Sequence, residues 1–456
     1  MMRIKTIDRK WWVLLAVGTG SFMAALDGSV VNTILPVIKD AFNSNVAAVE
    51  WVVTVYLLVL SGLLLTFGRL GDLRGHKSVY VWGFGIFVIS SALCGAAIST
   101  TMLISVRGIQ AIGSAMLASN SPAILTANFP AKSRGQAIGL NSMLTYLGLT
   151  VGPSLGGFLA QSLGWRSVFY INVPVGALAL AFSLIFIPKG KPSEAGTKFD
   201  LPGAAVFLAG LVALILALNQ GAEWGWASFP ILGLAGAAVL LLTGFVLIEK
   251  HSPAPMLDLS LFRNPMFSAS TVSAVLNYIC VYSLLFLMPF YLIQGRALSP
   301  AQAGLLLTAQ PILMAISAPI SGVLSDKSGA RLPGMIGMAA LAGGLILLSR
   351  IGLQTPFWVV IVGLAVAGFG TGTFISPNTS ALLGAAPGHR QGIASGVQAT
   401  GRNLGMVLGI GLAGAIFTTH LAQGTPDALF QGIDMGFLAA AVVAVVGVIM
   451  SAVKER

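Results

Sequence analysis

The sequence predicts an all-α integral membrane protein of fourteen spans, with two six-helix bundles and two extra helices between them. Three observations carry this fold class. Of 456 residues, 56% are hydrophobic and only 9% charged, whereas about a quarter of residues are charged in soluble domains. Continuous apolar runs recur, each near the roughly 20 residues that cross a bilayer core as a helix; a transmembrane barrel would show short alternating segments instead. Finally, a polar island from Gly68 to Lys77 returns as Gly322 to Arg331. Gly68, Asp72, Gly75 and Lys77 correspond to Gly322, Asp326, Gly329 and Arg331, all displaced by 254 residues. A single displacement over four positions marks a duplicated unit.

The first span, 12–37, follows Arg3, Lys5, Arg9 and Lys10. It exceeds the 7 to 15 residues of a secretory h-region, roughly, and no cleavage site closes it, so it is read as a retained helix. Spans at 48–68 and 79–98 flank the polar island, and 101–125, 136–160 and 167–188 complete an N-terminal bundle over 1–188. A linker at 189–200, rich in Lys, Gly and Pro, closes it. Six spans with their loops occupy about 190 residues, so a displacement near 255 leaves roughly 60 inserted residues. The two additional spans, 201–220 and 228–248 within 201–248, fill that insertion. A second linker, 249–266, leads into a C-terminal bundle over 267–456, with spans at 267–292, 301–325, 332–350, 356–383, 391–418 and 433–453.

An even number of spans puts both termini on one side. With the N-terminus in the cytoplasm, nineteen lysines and arginines fall on that side, and only Lys39, Arg166, Arg296 and Arg350 fall outside. That bias orients the chain by the positive-inside rule. The expected location is the cytoplasmic membrane of a bacterium, with both termini cytoplasmic and the lipid bilayer as solvent.

The net charge of +11 is scattered through short loops, which argues against nucleic acid and for membrane topology. Cys94 and Cys280 fall inside spans and read as small buried hydrophobes. His76, His251, His389 and His420 lack metal-ligand spacing, and no phosphate-binding Gly-x-x-x-x-Gly-Lys-Ser/Thr loop is present. The chain is therefore expected to be no enzyme, with no catalytic residues, metal or cofactor.

The duplication reaches further. Gly148, Gly152 and Gly157 match Gly405, Gly409 and Gly414, each 257 residues on, and Arg134 to Gly139 is echoed near Arg390 to Gly396. Two parallel six-helix halves are an arrangement that transporters use, with the substrate site between halves near the midplane. Four stretches carry a resemblance. They are Leu26 to Pro36 (LDGSVVNTILP), Gly68 to Lys77 (GRLGDLRGHK), Arg107 to Gly113 (RGIQAIG) and Gly148 to Gly157 (GLTVGPSLGG). On these motifs the chain resembles the major facilitator superfamily over nearly its whole length, and within it the fourteen-helix drug:proton antiporter family.

Asp27 is an acid within an N-half span, where a charge costs about 2.5 to 3.5 kcal/mol even on the lenient insertion scale and is tolerated mainly when paired or functional. The resemblance implies proton coupling for Asp27 and a relay role for Arg107. At 1.5 Å per residue Arg107 lies about 9 Å and Asp27 about 15 Å below the outer ends of their spans, a difference that an arginine side chain covers. The resemblance also makes the polar island a conformational gate: Gly68, Asp72, Arg74, Gly75 and Lys77, with Asp326 and Arg331 in the copy. Asp72 is expected to cap a neighbouring helix N-terminus or to pair with a base. Gly148, Gly152, Gly156 and Gly157 permit close helix approach, Pro153 favours a bend, and together they resemble the antiporter motif, which favours export.

Candidate substrate contacts are Asn32, Tyr56, Asn120, Asn141, Tyr146, Asn277, Tyr278, Tyr282, Gln310, Phe374, Asn378 and Arg402, a mixture suited to an amphipathic organic molecule. Arg402 sits near the centre of its span without an acid at matching depth in the second half; a backbone carbonyl, a lipid headgroup or an anionic part of the substrate are its candidate partners. Asp434 and Glu223 are expected at water-facing span ends. The expected function is proton-coupled export of amphipathic organic compounds or drugs by alternating access, in a monomer driven by the proton gradient. A carrier of a lipid or an anionic amphipathic metabolite is the alternative, and a non-transporting receptor or scaffold a remote one.

Overall fold

The computed structural model describes residues 8–44, 46–190, 200–252, 257–298, 300–421 and 427–453, so 191–199 and 253–256 of the two linkers lie outside the described residues. Among these residues every regular element is helical. The spans are α1 (Arg9–Ala41), α2 (Val46–Arg74), α3 (His76–Gly95), α4 (Thr100–Asn128), α5 (Arg134–Leu163), α6 (Ser167–Phe186) and α7 (Leu201–Trp224). They continue with α8 (Phe229–His251), α9 (Pro265–Gly295), α10 (Gln302–Ser328), α11 (Arg331–Ser349), α12 (Phe357–Gly384), α13 (Gln391–Leu421) and α14 (Ala428–Ser451). Among the described residues thirteen helices are long and apolar enough to cross a membrane, and α5 makes the fourteenth as two segments, Ala131–Gly152 and Ser154–Leu163, bent by 45°. The bend falls at Pro153, where the missing N–H interrupts the helical ladder.

The helix ends follow from local chemistry. Ser99 caps α4 by accepting from Met102 N at 3.2 Å, and Asp200 caps α7 by accepting from Gly203 N at 2.9 Å, with Pro202 in its first turn. Asn264 does the same for α9 at 3.0 Å. Gly75 separates α2 from α3 at φ +88° and Gly329 separates α10 from α11 at φ +79°, a left-handed region that favours glycine. The two copies of the polar island therefore share one turn.

Cα packing divides the chain into two compact units: Met1–Phe199 with Pro387–Gly396, and Asp200–Ala386 with Val397–Arg456. In that division the first turn of α13 packs with the first unit, and α7 and α8 fall within the second. In the first unit α5 lies close along α1, because a Cβ at Gly148 would meet Phe22 O and one at Gly152 would meet Ser29. Gly157 faces open space. In the second unit Gly405 rests on Val275 O and Gly409 on Ile279 O, so α13 and α9 repeat the arrangement. Likewise Gly83 and Gly113 bring α3 against α4, as Gly337 and Gly370 bring α11 against α12. The inserted α7 and α8 pack on each other, with the Phe207 and Phe245 rings 4.9 Å apart. The last helix, α14, begins at Ala428, some residues before the span expected from hydropathy, which places Asp434 inside it with Oδ1 buried and lacking a hydrogen-bond partner.

Candidate functional site

Asp27 lies midway along α1 and Arg107 two turns into α4, and the structure brings them together at 2.7 Å between Oδ2 and Nη1. Both are 1% exposed, so the pair is shielded from solvent. Gln110, one turn on from Arg107, donates through Nε2 to Asp27 Oδ1 at 3.2 Å and accepts from Arg107 Nη1 at 2.7 Å. Asn172 of α6 donates to the same Oδ1 at 2.8 Å and to Ser91 of α3 at 3.1 Å. Arg107 Nε reaches Val52 O at 3.4 Å, and its guanidinium lies 4.2 Å over the Tyr56 ring. Tyr56 in turn contacts Ser114 at 2.5 Å. Three helices thus meet at one carboxylate, and α2 and α3 join the cluster through Arg107 and Asn172. A buried ion pair is held only when its remaining hydrogen-bonding capacity is filled, and both carboxylate oxygens have partners. The amides of Gln110 and Asn172 each carry a donor and an acceptor, so the shell retains partners for Arg107 if Asp27 takes a proton.

The polar island builds a second arrangement in the same unit. Asp72 is fully buried and accepts from Gly392 N at 2.8 Å and Ile393 N at 2.9 Å, two of the otherwise orphaned donors in the first turn of α13. The carboxylate also sits at the positive end of that helix dipole. A helix N-terminus is thus among the partners expected for Asp72. Gly68 and Gly392 face each other so closely that a Cβ on either would strike the carbonyl of the other. His76 lies 3.5 Å from Asp72 and 2.8 Å from Asn120 Oδ1. Lys77 donates to Leu184 O and Ile187 O at 2.7 and 2.6 Å, a favourable place for a cation at the C-terminal end of α6. Arg74 is exposed. In the copy, Asp326 is half-buried and Arg331 exposed.

A model of the major facilitator superfamily matches residues 17–255 and 270–455. The chain belongs to the major facilitator superfamily. Among its relatives, the riboflavin transporter RibZ of Clostridioides difficile is 36% identical, over 91% of this chain and 89% of that protein. The multidrug resistance protein Stp of Mycobacterium tuberculosis is 33% identical over 91% and 78%, and the tetracenomycin C resistance and export protein of Streptomyces glaucescens 32% identical over 92% and 78%. The crystal structure of the human organic anion transporter MFSD10 matches in fold, with a TM-score of 0.70 at 17% identity, over 97% of this chain and 99% of that one. The chain is a multi-pass membrane protein of a transporter family.

The remaining candidates of this major facilitator chain are dispersed. Asn120 donates to Phe67 O at 3.1 Å and Met116 O at 2.9 Å, so its amide ties α4 to the polar island. Asn141 accepts from Ser21 at 3.0 Å across the α1 and α5 contact, Tyr146 is buried, and Asn32 is exposed. In the second unit Asn277 donates to Met338 Sδ at 3.3 Å, and Asn378 donates to Ser270 O at 2.9 Å. Phe374 and Gln310 are buried. Arg402 stands one turn before Gly405, which lies against the Cβ of Tyr278 on α9, with Tyr282 one turn further along α9. Gln110 and Asn172 were missed as site residues from the sequence. Gln110 stands inside the Arg107 motif one turn on, a signal that could have found it; Asn172 carries no such spacing.

Proposed function

We propose that this chain is a proton-driven exporter of amphipathic organic compounds, an antiporter of the fourteen-span drug:proton kind that works by alternating access in the cytoplasmic membrane, its termini cytoplasmic. The observation that carries this reading is the buried ion pair of Asp27 and Arg107 inside its amide shell. An ionised carboxylate holds Arg107, and a protonated one releases it to Gln110, Val52 O and the Tyr56 ring. A proton arriving at Asp27 from outside would accompany substrate release and be discharged inward once the halves have rocked. Relatives named for multidrug resistance and for export support the direction. Asp72 would serve as the latch of the cycle by holding the first turn of α13, and the monomer would need only substrate, protons and lipid as partners. A carrier of an anionic amphipathic metabolite is the second reading, favoured by Arg402 and by the relative named as a riboflavin transporter.

Proteoliposomes holding the purified chain and an imposed pH gradient test the proposal with a panel of dyes, quaternary ammonium compounds and lipids. Gradient-driven movement of a compound is expected for the wild type. Asp27→Asn should abolish the driven component while leaving substrate binding measurable. Driven transport that survives in Asp27→Asn would remove Asp27 from the coupling step.

A further inference from the structure

The Asp27 cluster is internally satisfied, whereas Arg402 is not. It lies eleven residues after the start of α13, about 16 Å along the helix at 1.5 Å per residue, and the other described basic residues of the second unit sit at or near span ends. Its Nε is buried without a hydrogen-bond partner. No ion pair involving Arg402 occurs among the described residues. The acid inside α14, Asp434, is no counter-charge. Gly432 packs against Phe417, so Asp434 stands beside a part of α13 removed from Arg402 by roughly 20 Å at 1.5 Å per residue. Asp326 and Glu249 lie in the closing turns of α10 and α8.

What Arg402 does meet is aromatic. The Cβ of Tyr278 lies against Gly405, one turn on from Arg402, and Tyr282 follows one turn later on α9. The approach is fixed by glycine: Gly405 lies against Val275 O and the Cβ of Tyr278, and Gly401 against Val275 and Thr271. A guanidinium in a membrane span is costly unless paired, and marks substrate or ion pathways. Its planar fork matches carboxylates and sulfonates and stacks on π-systems. A phenol beside it adds a donor for the second oxygen of such an anion, and two rings add a stacking surface.

We propose that Arg402, with Tyr278 and Tyr282, forms a recognition site for the anionic group of an aromatic amphipathic substrate. The inference rests on the transporter reading above and narrows its substrate class. A cationic compound is disfavoured at this site, and an aromatic acid is favoured.

Two xanthene dyes of opposite charge, fluorescein and rhodamine 6G, test it by fluorescence polarisation with the full chain in detergent and no gradient. The wild type is expected to bind fluorescein at least ~10-fold more tightly than rhodamine 6G, the discrimination that one charge-assisted contact supplies. Arg402→Gln should erase that preference, Arg402→Lys should keep part of it because charge remains without the fork, and Tyr278→Phe should weaken fluorescein binding alone. A wild type that binds neither dye, or prefers rhodamine 6G, overturns the proposal whether or not the variants fold. So does an Arg402→Gln chain that still selects fluorescein. Because binding is read without a gradient, selective fluorescein binding in a protein that fails to couple to protons would sink the antiport reading and leave this one standing.

Discussion

The two halves of the duplication keep the same packing and differ in what they do with polar side chains. Gly148 and Gly405 each press on a carbonyl of the opposing helix, Phe22 O and Val275 O, and five residues beyond those carbonyls stand Asp27 in one half and Cys280 in the other. Counted back from Gly113 and Gly370, Arg107 corresponds to Leu364 and Gln110 to Ala367. The second half thus fills the positions of the ion pair with buried groups that carry no charge; the Cys280 thiol donates to Ala440 O at 3.2 Å. Conversely, Tyr278 stands where the first half has Ala25, and Arg402 where it has Thr145. In the first half the polar groups around Asp27 satisfy one another, while in the second Asn277 Oδ1, Gln310 Nε2, Thr371 Oγ1, Thr400 Oγ1 and Arg402 Nε are buried without hydrogen-bond partners. Duplication conserved the backbone contacts that only glycine permits, and chemistry diverged on top of them.

The contrast can be broken most severely at the ion pair. Arg107→Ala leaves the Asp27 carboxylate buried with two amides alone and should lower stability by about 3 to 5 kcal/mol, read as a fall in thermal unfolding temperature in detergent, together with loss of proton-driven transport and its pH dependence. Leu364→Ala, at the matching place, should cost about 2 to 5 kcal/mol through the cavity it opens, while leaving the pH dependence of transport unchanged. Equal pH profiles for the two variants would mean that the polar cluster has no special part in coupling.

Smaller effects sharpen the conserved side of the comparison. Gly152→Leu and Gly409→Leu should destabilise their halves by similar amounts, about 1 to 3 kcal/mol each, since both force a side chain into a tight helix contact; a tenfold difference in folded yield between them would mean the two contacts are not equivalent. Asp72→Asn keeps the shape of the cap and removes its charge, for an expected loss of about 1 to 2 kcal/mol from the α13 terminus. Labelling of a cysteine placed near Gly392 should accelerate accordingly. Asp326→Asn, at a half-buried carboxylate in the closing turn of α10, should cost less than Asp72→Asn at its fully buried one, and an equal or larger loss would give the copy the weight of the original.

Depth was legible in the sequence and azimuth was not. A helix advances by a fixed rise, so counting residues from span ends brought Asp27 and Arg107 to compatible depths, and the duplicated glycines located the tight contacts. Which face a polar residue takes depends on neighbours that hydropathy cannot rank in a chain apolar all round. Tyr56 and Asn120, drawn from the sequence as substrate contacts, are engaged with Arg107 and with the polar island. Tyr278 and Arg402 both stood among the candidates, yet their pairing needed the register of α9 against α13, which Gly401 and Gly405 set. Asn172 had no periodic companion to announce it. The bend at Pro153 was legible because a missing N–H acts locally, whatever the helix packs against.

The facing glycines Gly68 and Gly392 bear on rate as well as on shape. Where α2 meets the first turn of α13, Gly68 and Gly392 meet backbone on backbone, beside the side chains of Asp72 and Leu65. At that glycine pair itself, separation requires no knob to leave a hole. The polar contacts there include the two hydrogen bonds of Asp72 and that of Thr126 to Gln391. Under the latch role proposed above, enlarging either glycine should slow opening even where the closed form survives.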